Sequence, residues 1–444
     1  MPRFETTSNI KEEVFGKILI IYITEKNSDC LKDIAKGLLK FRLANIIKHM
    51  NILECITGKT QFGIADATAL LEERLYKIYD SEYDSEKTKH DKNDICMLET
   101  FTDFSKAHIK QTAICVDIGG TNIRTAKISF DSSGKAEIQN HIAQRLPKYI
   151  RTFDQLMEEM AKQIICANGP GKTIPAIRIC FSYPFESLEN HDAKVLFLSK
   201  DTGISGAEGR LIGESLRKYL GDCCKSAIGV VNDTVTALVY SKYALPDADF
   251  SSSLAYGVVM GTGTNIALCK NGKQIINTEI GQMPIPFRNP NGIESNMVFE
   301  HITGGKYIAE TIKTAFADDC ETSAALSDMK TAEDLGKIAT SGLPESKTVL
   351  QAIERCAKIE AVMLSAVIAY QKNIEGKSKA IISAGGSIYE KLPHFKESFD
   401  NEIKRIACES GYEVEISTAG ENSNLIAAAM CGFPSEPASE SNAQ

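Results

Sequence analysis

The chain has 444 residues, of which 43% are hydrophobic and 24% are charged, and its formal net charge is −8. This length favours two domains, or one large two-lobed unit, over a single small domain. The acidic balance argues against a general nucleic-acid binder, which would need a basic face.

The first hundred residues are predicted to be mostly helical. Apolar side chains recur at helical spacing between residues 38 and 47. Residues 79–94 are highly charged without an apolar face, which predicts a solvated loop. The polar segment after Pro434 is predicted to be a disordered tail.

Strand patterns begin near residue 111. Short apolar strands are predicted at 114–118 and 124–130, and a turn at 131–134 leads to a third strand at 137–142. An apolar face between 153 and 165 predicts a helix. Further helices are predicted at 208–220, 298–316 and 350–371.

Two segments of the chain resemble each other. Residues 115–124 and 257–266 each read as a strand, a Gly-Thr-Asn loop and a strand, followed by a hairpin and a third strand. An alignment without gaps places Asp117 opposite Met260. Because glycine lets backbone N–H groups approach an anion closely, the pair predicts a duplicated lobe with two phosphate-binding loops facing one cleft. Neither loop has the P-loop or dinucleotide pattern.

Asp233 is the candidate general base. It follows the apolar strand 228–231 and precedes Thr234, which can start a helix. A carboxylate there can take a proton from an alcohol, although Asp is also a favoured helix N-cap. Asn232 before it and the two glycine loops favour the base.

Eight segments together resemble one family, in the order in which the family has them. They are VDIGGTNIR at 116–124, FSYP at 181–184, LSKDTG around Lys200, NDT at 232–234, MGTGTN at 260–265, INTEIG at 276–281, FEHITGGKYIAE at 299–310 and GGSIYEKLPHF at 385–395. The chain resembles the hexokinase family, within the group that shares the sugar kinase, Hsp70 and actin ATPase fold, from about residue 97 to residue 429.

The resemblance implies a duplicated, ribonuclease-H-like α/β fold of the actin-like ATPase type, with two lobes around a central cleft. A mostly helical part of the large lobe is expected over 1–111. The small lobe with the first glycine loop is expected over 112–232, and the large lobe with the second loop over 233–420. Residues 421–444 would form a helix that returns to the small lobe, followed by the tail.

The implied activity is that of a phosphotransferase with an alcohol acceptor. It would move a phosphoryl group from ATP, with Mg²⁺, to the 6-hydroxyl of glucose or a related hexose, as the first step of glycolysis. The expected partners are the sugar and MgATP, without nucleic acid or membrane, in a monomer or homodimer. The scattered cysteines and the absence of a membrane-length apolar run fit a cytoplasmic protein.

The resemblance also assigns roles to residues. Asp233 would be the base and Asp117 would lie in the Mg²⁺ shell. The sugar would contact Ser182, Lys200, Asn232, Glu279 and Glu300. The nucleotide would contact Gly119, Gly120, Thr121, Asn122, Arg124, Gly261, Thr262, Gly263, Thr264, Gly386 and Ser387.

The chain departs from the family in its outer sugar shell and its nucleotide segments. It has no tryptophan, so Ile280 follows Glu279 where the family usually has one. Gly385-Gly386-Ser387 stands where the family often has Asp-Gly-Ser. Two alternatives remain: a catalytically weak or inactive sugar-binding regulator, and a kinase of the same fold that acts on another acceptor.

Overall fold

The described part of the chain leaves out several predicted features. The apolar residues between 38 and 47, most of the charged loop, Lys200 and the C-terminal tail all lie outside it. A computed structural model of the chain describes residues 51–79, 97–107, 112–169, 171–198, 202–221, 227–288 and 294–431.

The strands are numbered here in chain order. They are β1 Leu98–Asp103, β2 Ala113–Ile118, β3 Asn122–Phe130, β4 Ala136–Arg145, β5 Ile177–Phe181, β6 Phe185–Ser187, β7 Ala193–Val195, β8 Ile228–Val231, β9 Ser253–Met260, β10 Thr264–Lys270, β11 Gln274–Asn277, β12 Pro284–Arg288, β13 Glu294–Val298, β14 Lys379–Gly385 and β15 Glu413–Thr418.

The helices are numbered in the same way, and short 3₁₀ turns occur at Phe104–Lys106 and Ile280–Gln282. Among the helices that the structure describes, none combines the length and the hydropathy needed to cross a bilayer. The helices are α1 Ile52–Thr57, α2 Ile64–Tyr79, α3 Phe153–Asn168, α4 Ile212–Leu220, α5 Asp233–Ala244, α6 Glu300–Thr303, α7 Ile308–Ala315, α8 Cys320–Ala325, α9 Ala332–Ala339, α10 Ser346–Glu375, α11 Ser387–Lys391, α12 Phe395–Glu409 and α13 Ser423–Met430.

Two large sheets have the same strand order. In the first, β4-β3-β2-β5-β8, the first three strands are antiparallel neighbours and the last two run parallel to β2. In the second, β11-β10-β9-β14-β15 repeats this pattern, and β1 adds an antiparallel edge beside β11. The internal resemblance in the sequence therefore corresponds to a structural repeat. The division of the chain at residues 111, 232 and 420 stays a prediction.

The glycine hairpins of the two sheets differ in length by one residue. In the first, Ile118 pairs with Ile123 across four residues, whereas in the second Met260 pairs with Thr264 across three. The alignment without gaps that set Asp117 opposite Met260 is therefore wrong by one position. When the last paired residues before each hairpin, Ile118 and Met260, are aligned, Asp117 corresponds to Val259. Val259 also lines the cleft, whereas Met260 is fully buried.

A layer of helices joins the two sheets. One apolar cluster combines residues of both sheets with α5 and α13. The approach is close at Gly257 in β9, because a Cβ there would lie 2.2 Å from the carbonyl oxygen of Thr234 in α5. Only glycine fits at that contact. A second cluster lies on the outer side of the first sheet, and the largest surrounds the second sheet and α10.

The helix predicted over 298–316 is wrong as a single helix. It is broken into α6 and α7 because Gly304 and Gly305 between them pack against the second glycine hairpin. The Gly305 N–H donates to the carbonyl oxygen of Gly261 at 2.8 Å, a contact that a continuous helix could not make. The other predicted helices are present with shifted ends, as α4 and α10.

Candidate active site

A cleft of about 460 Å³ is bounded by loops from both large sheets and by the first turns of α5, α6, α11 and α13. Lys200 lies outside the described residues. All the other predicted site residues line this cleft: Asp117, Gly119, Gly120, Thr121, Asn122, Arg124, Ser182, Asn232, Asp233, Gly261, Thr262, Gly263, Thr264, Glu279, Glu300, Gly386 and Ser387. Their individual roles stay predictions.

Asp233 is the first residue of α5 and is half-buried at the wall of the cleft. The N-cap of this helix is Asn232, whose Oδ1 accepts a hydrogen bond from the Thr234 N–H at 3.0 Å. The N-cap interpretation of Asp233 is therefore wrong. The Asn232 amide also donates to the Phe181 carbonyl at 3.3 Å, so that side chain fixes the start of α5 against β5.

Asp117 is the second-last residue of β2, a strand that is buried throughout, and is 6% exposed. Burial raises the pKa of its carboxyl group, and the neighbouring Arg124 guanidinium opposes that rise. The Arg124 Nη1 lies 3.1 Å from Oδ2 of Asp117. Arg124, which the sequence assigned to phosphate, is thus placed beside the candidate metal ligand, with both side chains at the cleft.

Asn424 is a cleft residue that the sequence did not identify. It lies in the first turn of α13 and donates from Nδ2 to Asp117 Oδ1 at 3.3 Å. Its Oδ1 accepts from the Thr236 hydroxyl in α5 at 2.9 Å. Asn424 therefore connects the candidate metal ligand with the helix that begins at Asp233. In the sequence, Asn424 ends the segment 420–424, which stands where the family has a Gly-Ser-Gly-type segment on the nucleotide side, but the sequence assigned it no role.

Glu279 is held in a strained and well-defined position. It is 5% exposed and has a left-handed backbone, with φ 47°, a conformation uncommon outside glycine. Its Oε1 accepts hydrogen bonds from Asn277 at 2.7 Å and from Asn265 at 3.3 Å. The carboxylate is thereby oriented before any ligand binds.

Glu300 begins α6 and is 4% exposed. The Gln282 side chain donates to its Oε1 at 3.1 Å. Gly281 lies between this carboxylate and β10, because a Cβ there would be 2.2 Å from the Thr264 carbonyl oxygen and 3.3 Å from Glu300 Cβ. The two candidate sugar glutamates thus flank one 3₁₀ turn.

In both glycine hairpins, backbone carbonyl groups accept hydrogen bonds from neighbouring parts of the protein. In the first hairpin, Tyr183 Oη donates to the Gly119 carbonyl at 3.1 Å. In the second, the Gly305 and Lys306 N–H groups donate to Gly261 and Thr262 at 2.8 Å and 3.0 Å. The sequence placed Gly305 and Lys306 only in a sugar-binding segment, so their support of the second hairpin was missed.

Gly386 lies at the end of the cleft where the sequence predicts the nucleotide. Its φ is 111°, and a Cβ on it would lie 2.4 Å from the Met260 carbonyl oxygen. The Gly386 N–H donates to the Glu390 side chain at 3.1 Å. Glu390 and Glu421 are exposed carboxylates that line this end of the cleft.

Glu360 is a second residue that the sequence did not identify. It is fully buried in α10 and accepts hydrogen bonds from the Thr264 and Thr303 hydroxyls at 3.0 Å and 2.7 Å. Burial raises its pKa to about 7, and the two hydroxyl groups oppose the rise.

The carboxylate groups in the cleft fit a magnesium ion that is bound together with a phosphate ligand. Within the described residues, no group of three or more Asp, Glu, His or Cys side chains could hold a metal by itself. Mg²⁺ is usually held by one or two carboxylates, water and substrate phosphates, rather than by an all-protein cage. Asp117 supplies such a carboxylate beside the first hairpin.

Two family models described as hexokinase match the chain, at residues 64–243 and 311–433, which together exceed half its length. The chain belongs to the hexokinase family. Relatives include Hexokinase-1 of Schizosaccharomyces pombe, 29% identical over 36% of this chain, and human Hexokinase-2, 22% identical over 66%. These matches span 34% and 39% of the two relatives. A hexokinase of Emericella nidulans is 24% identical over 64% of this chain and 71% of its own length.

Solved hexokinase structures share the fold. A Schistosoma mansoni hexokinase in complex with glucose covers 88% of this chain and 99% of its own, with 18% identity and a TM-score of 0.63. A Streptomyces griseus glucokinase of the ROK family, in complex with glucose and AMPPNP, covers 72% and 98%, with 18% identity and a TM-score of 0.51. The predicted hexokinase family and the duplicated actin-like ATPase fold are both confirmed.

Proposed function

We propose that this protein is an ATP-dependent hexokinase that phosphorylates the 6-hydroxyl group of glucose or a related hexose. The observation that carries the proposal is the position of Asp233. Its carboxylate lies at the cleft between the two glycine hairpins and is not used as a helix cap, since Asn232 fills that role.

Glu279 and Glu300 would bind the sugar. A carboxylate can accept hydrogen bonds from two neighbouring hydroxyl groups of a hexose. Both glutamates are buried, line the cleft and are oriented by amide donors of the protein. Ser182 lies on the side of the first hairpin, and its N–H donates to the Ile118 carbonyl at 3.0 Å.

The two glycine hairpins would bind the phosphate chain of ATP. Their carbonyl groups at Gly119, Gly261 and Thr262 are bonded to the protein, and successive N–H groups of such loops bind anions. Preorganised N–H donors stabilise charge that develops on the phosphoryl oxygens in the transition state.

Asp233 would act as the general base. The sugar hydroxyl oxygen forms a bond to the γ-phosphorus while the bond to the β,γ-bridging oxygen breaks, and ADP leaves with that electron pair. Asp233 takes the hydroxyl proton. Mg²⁺, held by Asp117 and phosphate oxygens, would neutralise phosphate charge when bound.

A sugar-binding regulator with weak or no kinase activity is the second candidate. It is favoured by Glu390 and Glu421, whose carboxylates line the nucleotide end of the cleft. Two negative charges there oppose the binding of a polyanion. Such a protein would bind glucose through Glu279 and Glu300 without turnover.

A coupled assay of ADP release tests the proposal. We expect release from MgATP that depends on glucose, fructose, mannose or N-acetylglucosamine, and a fall in kcat of about 10²–10⁴-fold in Asp233→Asn, because general-base catalysis contributes that much. Asp249→Asn is the matched control, because this exposed carboxylate accepts hydrogen bonds from Ser251 and Ser252 of its own turn and does not line the cleft.

Two outcomes would contradict the kinase proposal. Turnover that survives in Asp233→Asn would remove that residue from the role of base. Binding of glucose by calorimetry, without turnover of any of the four sugars, would favour the regulator.

A further inference from the structure

Glu360 is an acid within the buried, mostly apolar stretch 359–368 of helix α10. Its side chain is fully buried, and its two carboxyl oxygens accept hydrogen bonds from different threonines. Oε1 bonds the Thr264 hydroxyl at 3.0 Å, and Oε2 bonds the Thr303 hydroxyl at 2.7 Å.

The two threonines belong to opposite halves of the proposed reaction. Thr264 opens β10 directly after the second glycine hairpin, on the phosphate side. Thr303 ends α6, the short helix that begins with the candidate sugar ligand Glu300. One buried carboxyl group therefore bonds both the phosphoryl-donor side and the acceptor side of the cleft.

We propose that Glu360 is a positioning residue that holds the second glycine hairpin and the α6 helix at a fixed separation, so that ATP and sugar meet in a productive geometry. This inference rests on the proposed kinase function. A displacement of about 1 Å between reacting groups can cost about a hundredfold in rate, so a fixed separation matters for the chemistry.

The chemistry of the position indicates that Glu360 links the second glycine hairpin to α6 and does more than fill space in the core. An apolar side chain at position 360 would pack into the core without a desolvation cost. Burying a carboxyl group there costs free energy unless the group is hydrogen-bonded. Burial is what raises the pKa of Glu360 to about 7, and no charged group of the described residues contributes to that shift. The hydroxyl partners can donate to the ionised form, and one can accept from the protonated form.

Three variants test the inference. Glu360→Leu removes both bonds, whereas Glu360→Gln keeps an acceptor for one threonine and a donor for the other. Val362→Ala is the control, because residue 362 is buried in the same core at about 200° around the helix from residue 360. Each variant is measured for sugar kinetics and for hydrogen exchange of backbone amides at 261–264 and 300–306.

We expect Glu360→Leu to lower kcat/KM by about 10- to 100-fold and to speed exchange at both segments together. Glu360→Gln should stay within about threefold of wild type and should lose any change of kcat/KM near pH 7. Val362→Ala should leave hydrogen exchange at both segments unchanged. If Glu360→Leu does not fold, Thr303→Val against Thr303→Ser makes the same comparison, with serine restoring the hydroxyl.

Normal kinetics and exchange in a folded Glu360→Leu protein, alongside an active wild type, would overturn the inference and leave the kinase proposal standing. If wild type turns over none of the sugars, the kinase proposal fails. The exchange data at the two segments then decide by themselves whether Glu360 ties them together.

Discussion

Buried acids in and behind this cleft differ in their hydrogen-bond partners, and the difference sets what each can do. Asp117 has an arginine and an amide beside it, and Glu279 has two asparagine donors. Within the described residues, the hydrogen-bond partners of Glu360 are two threonine hydroxyl groups. Burial raises the pKa of both Asp117 and Glu360. The Arg124 guanidinium opposes the rise at Asp117, whereas at Glu360 the two hydroxyl groups oppose it and the pKa rises to about 7.

That pKa predicts how stability depends on pH. Folding raises the pKa of Glu360 from 4.5 to about 7, so the folded chain holds more protons between those values. The free energy of unfolding of wild type should therefore fall, relative to Glu360→Gln, as pH rises from about 4.5 to about 7. The full difference is on the order of 3 kcal/mol.

Urea unfolding of both proteins at pH 5, 6, 7 and 8 measures this difference. A difference in unfolding free energy that stays constant across the series would mean that Glu360 does not change its protonation on folding.

The same residues show which features could be predicted from the sequence and which could not. The glycine hairpins were predictable from a local pattern of strand, glycine and polar residue. Asp233 was singled out by its place after a strand together with the family resemblance, and Glu279 and Glu300 by the resemblance alone; all three line the cleft. Glu360 bonds threonines 96 and 57 residues away, and Asn424 bonds a carboxylate 307 residues away. No local pattern encodes such pairs, since they arise only when the elements pack.

At the scale of the elements, the three antiparallel strands that the two copies share followed from short apolar runs and turn residues, whereas the rest of the strand order and the close contacts did not. The one-residue difference between the hairpins shifted the predicted equivalent of Asp117 from Val259 to Met260. The break between α6 and α7 could not be predicted from the local sequence. Gly304 and Gly305 end α6 because they pack against the second glycine hairpin, which lies about 40 residues earlier in the chain.

The contact between β9 and α5 predicts a large effect of one methyl group. In Gly257→Ala the new Cβ would lie 2.2 Å from the Thr234 carbonyl oxygen and 2.4 Å from the Leu238 nitrogen. Strand and helix must then separate, which should cost about 3 kcal/mol or more, at the upper end of overpacking.

Thermal unfolding measures this loss against Gly63→Ala, where the nearest atom to a Cβ is 3.7 Å away. Equal melting temperatures for the two variants would show that β9 and α5 do not pack as closely as described.

At the scale of the whole molecule, two repeated sheets enclose a cleft that carries sugar candidates on one side and the first hairpin on the other. In a kinase, excluding water from such a cleft prevents transfer of the phosphoryl group to water. We therefore expect sugar binding to bring the two sheets closer together.

Small-angle X-ray scattering tests this movement. The radius of gyration should decrease when glucose is added, and it should not change in Glu300→Gln, which keeps the shape of the side chain but loses its charge. An unchanged radius in wild type at saturating glucose would argue for a rigid cleft.

The helix α13 lies in the layer between the sheets, although it follows both large sheets in the described part of the chain. A ribosome thus completes both sheets before it supplies the helix that covers their facing apolar surfaces. Chains arrested before residue 423 should expose those surfaces and be readily cleaved by protease, whereas chains that have released α13 should resist cleavage. Synthesis of this protein therefore passes through a stage, before α13 has left the ribosome, in which exposed apolar surface can be bound by chaperones.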